Sequence, residues 1–107
     1  MVESSAAPAV AHLALADDLT IYNAVDIKQR LLEAVRQPSA LDLDLSQVGE
    51  MDTAGFQILI LAKRESQRLG HDLHIVAHSP AVREVLEFYN MLAYFGDPLV
   101  IPAEEGR

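Results

Sequence analysis

Leucine and aspartate alternate without a break from residue 41 to residue 45, in the order Leu41-Asp42-Leu43-Asp44-Leu45. Side chains of a β-strand point alternately to opposite faces, so this pattern predicts a strand with three leucines on one face and two carboxylates on the other. The leucine face needs other elements to cover it, and a chain of 107 residues has the size of one domain that can supply them. We therefore expect a single domain over residues 1–107, with its core at about residues 12–102.

The residues before this strand predict a hairpin and a helix. Residues 12–15 and 19–22 are short apolar segments on either side of Asp17-Asp18, which are typical turn residues, and we expect the two segments to pair as strands. From Asn23, a good N-cap residue, apolar side chains recur at helical spacing until Pro38 ends the segment. This segment is predicted as the first helix.

The residues after the strand predict two more helices and two more strands. A second helix is expected over residues 53–69, closed by Gly70, and a third begins at Ser79-Pro80, where an N-cap residue precedes a proline. The first half of the second helix is apolar nearly all round and should be buried, whereas its charged second half should reach solvent. Strands are expected at residues 73–77 and at Leu99-Val100-Ile101. The predicted order is β-β-α-β-α-β-α-β, which is typical of an α/β fold with a mixed sheet covered by helices.

Composition excludes several classes of function. The chain has 8 basic and 16 acidic residues, which give a formal net charge of −8, so we expect it to bind neither nucleic acid nor anionic membrane surfaces. It has no cysteine, which excludes disulfides, thiolate chemistry and Cys-based zinc sites. Residues 1–11 lack the features of a secretory signal, and the longest apolar stretch, residues 56–62, is too short to span a membrane. We expect a cytoplasmic protein.

The segment that carries a functional signal is Asp52-Thr53-Ala54-Gly55, at the start of the second helix. Unpaired backbone N–H groups and the positive end of the helix dipole favour an anion there, so a phosphoryl group on Thr53 would be well placed. Ala54 and Gly55 are small enough to let another protein approach the helix start. A phosphate would add up to about two negative charges beside Glu50 and Asp52, enough to reverse an interaction. The alternative is that Asp52 or Thr53 acts only as an N-cap.

Taken together, these motifs resemble those of the STAS domain, the fold of anti-sigma factor antagonists. The resemblance covers residues 13–101 and includes Asp44-Leu45-Ser46 at the end of a buried strand, Asp52-Thr53-Ala54-Gly55 opening a helix, Gly70 at its end, and Ser79-Pro80 before the next helix. It implies a STAS-like mixed β-sheet covered by α-helices. Only six residues follow Ile101, so the final helix common in the family is expected to be missing or vestigial.

The resemblance also implies a function and a site. In this family the Ser or Thr after the motif aspartate is phosphorylated by a partner kinase, often the anti-sigma factor itself, and a phosphatase resets it. Carried over, the phosphoacceptor is Thr53. The unphosphorylated protein would bind its partner through the helix start and adjoining loops, with these contact residues: Asp18, Asp52, Thr53, Ala54, Gly55 and Gln57. The chain would then be a substrate of the kinase and not an enzyme, without a cofactor or metal of its own.

Two other roles remain open within the family. The STAS subunit of the bacterial phospholipid-trafficking ABC transporter carries a similar Asp-Thr-Gly-Gly and resembles this chain at Tyr89-Asn90, which would make the chain a subunit docked on an ATPase. STAS proteins associated with chemotaxis and two-component systems also carry Asp-Thr-Ala-Gly. Apolar and aromatic residues near the third helix, Phe88 and Tyr89 among them, exceed one core stripe, and some are expected to form a partner or homodimer surface.

Catalytic and metal-binding alternatives are less consistent with the sequence. A phosphorelay receiver domain would need a late lysine, and no lysine follows Lys63. His71, His74 and His78 bracket a strand, but no cysteine or fixed carboxylate completes a metal site. Neither a Gly-x-Ser-x-Gly elbow nor a Gly-rich phosphate loop is present. We therefore expect neither a hydrolase nor a nucleotide-binding enzyme.

Overall fold

The computed structural model describes residues 10–96, in which strands and helices alternate along the chain. The elements are β1 (Val10–Ala14), α1 (Ala24–Arg36), β2 (Ala40–Leu45), α2 (Thr53–Arg68), β3 (Leu73–His78) and α3 (Pro80–Phe88), followed by a 3₁₀ turn at Ala93–Phe95. The predicted α/β class is confirmed, and each of the three predicted helices is present. No helix within residues 10–96 is long and apolar enough to cross a membrane.

The three described strands form one sheet in the order β1-β2-β3, and both pairs are parallel. Leu43 on the central strand lies opposite Leu13 on one side and Ile75 on the other. Because the strands run in the same direction, their carboxyl ends meet at one edge of the sheet. The loops that follow β1 and β2 are therefore neighbours, although they are far apart in sequence.

The leucine–aspartate alternation acts as predicted. Leu41, Leu43 and Leu45 are buried, and the two aspartates between them lie half-buried on the opposite face. Helices α1 and α2 pack against each other and belong to the same core as the leucines. From α1 that core receives Ile27, Leu31 and Val35, which recur at helical spacing.

The predicted hairpin is wrong. Leu19 forms only an isolated parallel bridge with Met51, and residues 20–23 form a turn that leads into α1. The backbone of Leu19 is bonded to the loop before α2: its N–H donates to the Glu50 carbonyl (2.9 Å), and its carbonyl accepts from the Asp52 N–H (3.1 Å). These two bonds replace the ladder that a hairpin would need. The predicted strand at Leu99-Val100-Ile101 and the C-terminal end lie outside the described residues.

Helix α2 departs from its predicted exposure in the second half. Arg64 and Arg68 are exposed, but the Lys63 side chain is buried, and its Nζ donates to the Leu73 carbonyl at 2.6 Å. Burial lowers the pKa of Lys63, and the nearby Asp72 carboxylate opposes that shift. The helix ends as predicted, since Gly70 adopts a positive φ of 76° that a residue with a side chain rarely takes.

Candidate functional site

Asp52 is the residue that joins the start of α2 to the loop after β1. Its Oδ1 accepts from the Gly55 N–H and its Oδ2 accepts from the Ile21 N–H, both at 3.0 Å. The first bond is an N-cap, and the second ties the two loops together. Both bonds favour the ionised carboxylate, and they lower the pKa of Asp52, the Gly55 bond most.

Replacing Asp52 by alanine should lower the free energy of unfolding by about 2 kcal/mol at neutral pH, since it removes a cap and a second charge-assisted bond. The folded-state pKa of Asp52 is lowered, so its contribution is fully present above the ordinary value of 3.8 and is lost as the pH falls through the folded value. Urea unfolding at neutral pH and at about pH 3 should therefore show the difference between wild type and Asp52→Ala shrinking in acid.

Asp26→Ala is the matched control, because Asp26 lies in the first turn of α1 and, among residues 10–96, its carboxylate is bonded only to the exposed Arg30 side chain. It should cost much less than Asp52→Ala at neutral pH. Equal losses from the two variants would show that the Asp52 carboxylate does not hold the loops together.

Asp18 lies on the loop after β1 and bonds to the loop before α2. Its Oδ1 accepts from the Glu50 N–H at 3.0 Å, and its carbonyl accepts from the Asn23 side-chain amide at 2.8 Å. Asn23 therefore occupies the N-cap position of α1 without the predicted side-chain cap. Asp18 and Asp52 are both half-buried, and each accepts a backbone N–H of the other loop, so both position the surface. Their partner contacts stay a prediction.

Thr53 and Gln57 are the predicted site residues that face solvent. Thr53 is the first residue of α2, its side chain is exposed, and its hydroxyl forms no hydrogen bond with any of residues 10–96. Gln57 is exposed one turn further along the same helix. Ala54 is half-buried, so the accessible part of the helix start is centred on the Thr53 hydroxyl.

Gly55 is buried and faces the protein interior. A Cβ at this position would lie 2.0 Å from the Leu19 carbonyl oxygen. The glycine therefore allows α2 to begin directly against the loop after β1, which is a packing role. Gly55 is thus not exposed to a partner in this structure. Its predicted partner contact stays a prediction.

Exposed apolar side chains lie near the start of α2, and two of them, Phe88 and Tyr89, line the same end of a groove as Thr53. Phe88 is 80% exposed and Tyr89 is 40% exposed at the end of α3, and the Tyr89 ring stacks on Phe56 of α2 with centroids 4.3 Å apart. Ile21 and Tyr22, which are 67% and 93% exposed, lie on the loop that Asp52 holds. We call Ile21, Tyr22, Thr53, Phe88 and Tyr89 the Thr53 patch. The aromatic excess near the third helix pointed to part of it, whereas Ile21 and Tyr22 were expected in a strand.

A groove separates the two sides of this patch, between the loop before α2 and helix α3, and we call it the α3 groove. Its central residues are Met51, Asp52, Glu84 and Val85. At one end it is also lined by Thr20, Tyr22, Gly49, Glu50 and Ala81, and at the other by Thr53, Phe88 and Tyr89. All its charged lining residues are therefore acidic, and a phosphate on Thr53 would lack a neighbouring lysine or arginine among them.

Two of the histidines expected to bracket β3, His71 and His74, contact different parts of the protein. The Nδ1 of His71 is within hydrogen-bond distance, 2.9 Å, of the Val35 carbonyl. The His74 ring lies against Gly96, whose Cβ, if present, would be 2.6 Å from the ring. Within residues 10–96, no three His, Asp or Glu side chains form a group that could hold a metal ion.

The comparison with protein families identifies the domain that carries this site. The family model described as "Mlab, STAS domain" matches residues 2–100. The chain belongs to the STAS domain family. The resemblance seen in the motifs around Thr53 and Ser79-Pro80 is therefore confirmed. No curated protein matches the sequence.

Solved structures support the STAS fold independently. The chain is similar to the structure of the anti-sigma factor antagonist SpoIIAA in its unphosphorylated form, with a TM-score of 0.65 and 17% sequence identity. The match covers 97% of this chain and 95% of that one. At this identity the likeness concerns the fold.

Proposed function

We propose that this STAS domain is a regulatory protein-binding module of the anti-sigma factor antagonist kind, that it binds a kinase-type anti-sigma factor through the Thr53 patch, and that phosphorylation of Thr53 releases the partner. The observation that carries the proposal is the exposed hydroxyl of Thr53 at the start of α2, which is bonded to none of residues 10–96 and lies at the same end of the α3 groove as the exposed rings of Phe88 and Tyr89. The family membership and the likeness to an anti-sigma factor antagonist support the same role.

Charge and hydration give the direction of the switch. Thr53 lines the same end of the groove as Phe88 and Tyr89. A partner that covers these two rings therefore also removes water from Thr53. A phosphothreonine there carries up to about two negative charges, and dehydrating them beside an apolar surface costs free energy that the neutral hydroxyl does not. The charged residues that line the α3 groove are all acidic, so none of them offsets that cost. The helix dipole stabilises the phosphate in the free protein and in the complex alike. It therefore does not shift the equilibrium toward the complex.

The chemistry would be done to this chain by its partners. The Thr53 hydroxyl oxygen forms a bond to the γ-phosphorus of ATP, the bond from that phosphorus to ADP breaks, and the hydroxyl proton passes to a base on the kinase. A phosphatase reverses the state by transferring the phosphoryl group to water. The domain is thus proposed to be a cytoplasmic substrate and binding protein, not an enzyme.

Phosphorylation by the captured partner is the direct test. The tagged protein is used to capture partners from an extract of its own cells, and the purified complex is incubated with Mg-ATP. Intact mass should rise by one phosphoryl group, and peptide mapping should place it on Thr53. Thr53→Ala should stay unmodified while still binding, since its methyl group preserves the neutral surface.

Thr20 is the internal control, because it is the only other threonine in the chain and also lines the α3 groove. Phosphate on Thr20, or equal modification of wild type and Thr53→Ala, would contradict the assigned acceptor. Capture without any modification would leave a binding module that is not switched at Thr53.

A second candidate is a subunit docked on the ATPase of a phospholipid-trafficking ABC transporter, and the position of Tyr89 favours it. Two short motifs resemble that subunit, Asp52-Thr53 and Tyr89-Asn90, and the Phe56–Tyr89 stack brings them to the same end of α2. This role predicts stable co-purification with transporter subunits, unchanged by ATP. The antagonist role predicts a kinase-type partner that ATP releases.

A further inference from the structure

Helix α3 has two faces with different neighbours. Val82 and Leu86 are buried in the core. Ala81, Glu84, Val85 and Phe88 line the α3 groove instead. These four positions follow the spacing i, i+3, i+4 and i+7, so their side chains form one stripe along the outer face of the helix. The stripe is apolar except at Glu84.

The stripe has the dimensions of a helix-binding surface. The nine residues of α3 span about 13 Å, which matches roughly two and a half turns of a partner helix. Met51 lies beside the stripe on the floor of the groove. Tyr22 and Phe88, two of the most exposed large apolar side chains, stand at opposite ends of it. Exposed aromatic side chains at the rim of an apolar groove are typical anchors for a bound segment.

The charges that line the groove indicate which kind of partner it binds. Its titratable carboxylates belong to Glu50, Asp52 and Glu84, and Asp52 is already bonded to two backbone N–H groups. Glu50 and Glu84 are exposed and form no ion pair with any of residues 10–96. A second copy of this chain would bring its own carboxylates against these two, and the net charge of −8 adds to that repulsion. A basic partner would be attracted by Glu50 and Glu84, whereas a second copy of the chain would be repelled by them.

We propose that the α3 groove binds a basic amphipathic helix of the partner protein, with its apolar side chains on Met51, Val85 and Phe88 and its arginines or lysines opposite Glu50 and Glu84. This inference rests on the proposed function, because it names the chemistry of the partner that the Thr53 patch binds. The two proposals share Phe88, but their charged positions lie at different ends of the groove. Thr53 lies at the aromatic end with Phe88, whereas Glu50 lies at the opposite end.

The test uses two fluorescein-labelled model helices and the full unphosphorylated chain. One peptide carries leucines at i, i+3, i+4 and i+7 flanked by arginines, and its twin carries glutamates in place of the arginines. Fluorescence anisotropy should show binding of the arginine peptide, weaker at high salt, and none of the glutamate peptide. Equal binding of both peptides would overturn the proposal.

Single substitutions then locate the site. Glu84→Gln should weaken binding of the arginine peptide roughly three- to fivefold, and Phe88→Ala should weaken it roughly tenfold. Glu33→Gln is the matched control, since Glu33 is an exposed glutamate on α1 and its loss changes the net charge equally. If Glu33→Gln and Glu84→Gln have the same effect, the attraction is general and the groove is not its site.

Sedimentation equilibrium of the chain without peptide tests the competing occupant. A monomer is expected, and a dimer that Phe88→Ala dissociates would overturn the proposal in favour of a second copy. Failure of the switch at Thr53 is measured separately by mass spectrometry, so it does not alter any outcome of the peptide experiment.

Discussion

Replacing Gly55 by alanine should lower the free energy of unfolding by roughly 2 to 3 kcal/mol. The added Cβ would lie 2.0 Å from the Leu19 carbonyl oxygen and 2.7 Å from the Leu19 Cβ. Backbone atoms cannot rotate out of the way, so either α2 or the loop after β1 must shift. The shift would strain the bonds that join Leu19 to Glu50 and Asp52. The higher helix propensity of alanine, about 1 kcal/mol, offsets only part of this loss.

Gly70→Ala is the control for the Gly55 substitution. Gly70 has a φ of 76°, and apart from its chain neighbours no atom of residues 10–96 lies within 4 Å of the place that an added methyl group would take. The cost of this substitution should therefore be limited to the backbone conformation, about 1 kcal/mol. Urea unfolding monitored by circular dichroism measures both variants. A Gly55→Ala protein as stable as wild type would show that α2 does not begin in contact with Leu19.

Replacing Thr53 by glutamate should weaken binding of the captured partner about tenfold or more, because it places a charge where the complex excludes water. The variant should fold as well as wild type. A carboxylate in the first turn of a helix interacts favourably with the dipole, by about 0.5 kcal/mol, so a loss of binding would not reflect unfolding. Isothermal titration calorimetry with the purified partner gives the affinity, and thermal unfolding gives the stability.

Gln29→Glu is the matched control for Thr53→Glu. Gln29 is exposed on α1 and lines neither end of the α3 groove, so the same gain of one charge should leave affinity nearly unchanged. Equal effects of the two variants would assign the loss to net charge alone. Tighter binding by Thr53→Glu would mean that the partner places a cation at this position, and it would contradict the proposed direction of the switch.

The periodic and capping signals of the sequence predicted most of the fold, because each acts over a few residues. The alternation at residues 41–45 determined which face of β2 is buried. Ser79 caps α3 through a bond from the Val82 N–H, and Pro80 opens the helix. These features depend on local geometry and side-chain chemistry, which the sequence displays directly.

The hairpin failed as a prediction because its outcome depended on a distant segment. Residues 19–22 have the composition of a strand, but Leu19 lies beside residues 50–52 once β1 and β2 pair in parallel. The backbone groups of Leu19 bond there, and the turn that follows exposes Ile21 and Tyr22. Nothing within residues 19–22 signals that competition.

The sequence by itself determined the fold class, the family motifs and the choice of Thr53 as candidate acceptor, since each is written in contiguous residues. Only the tertiary structure decided that Gly55 packs against Leu19, that Asp18 and Asp52 hold two loops together, and that α3 presents a groove with acidic lining. The physical reason is that these features arise where the carboxyl ends of parallel strands bring separate loops to one edge of the sheet.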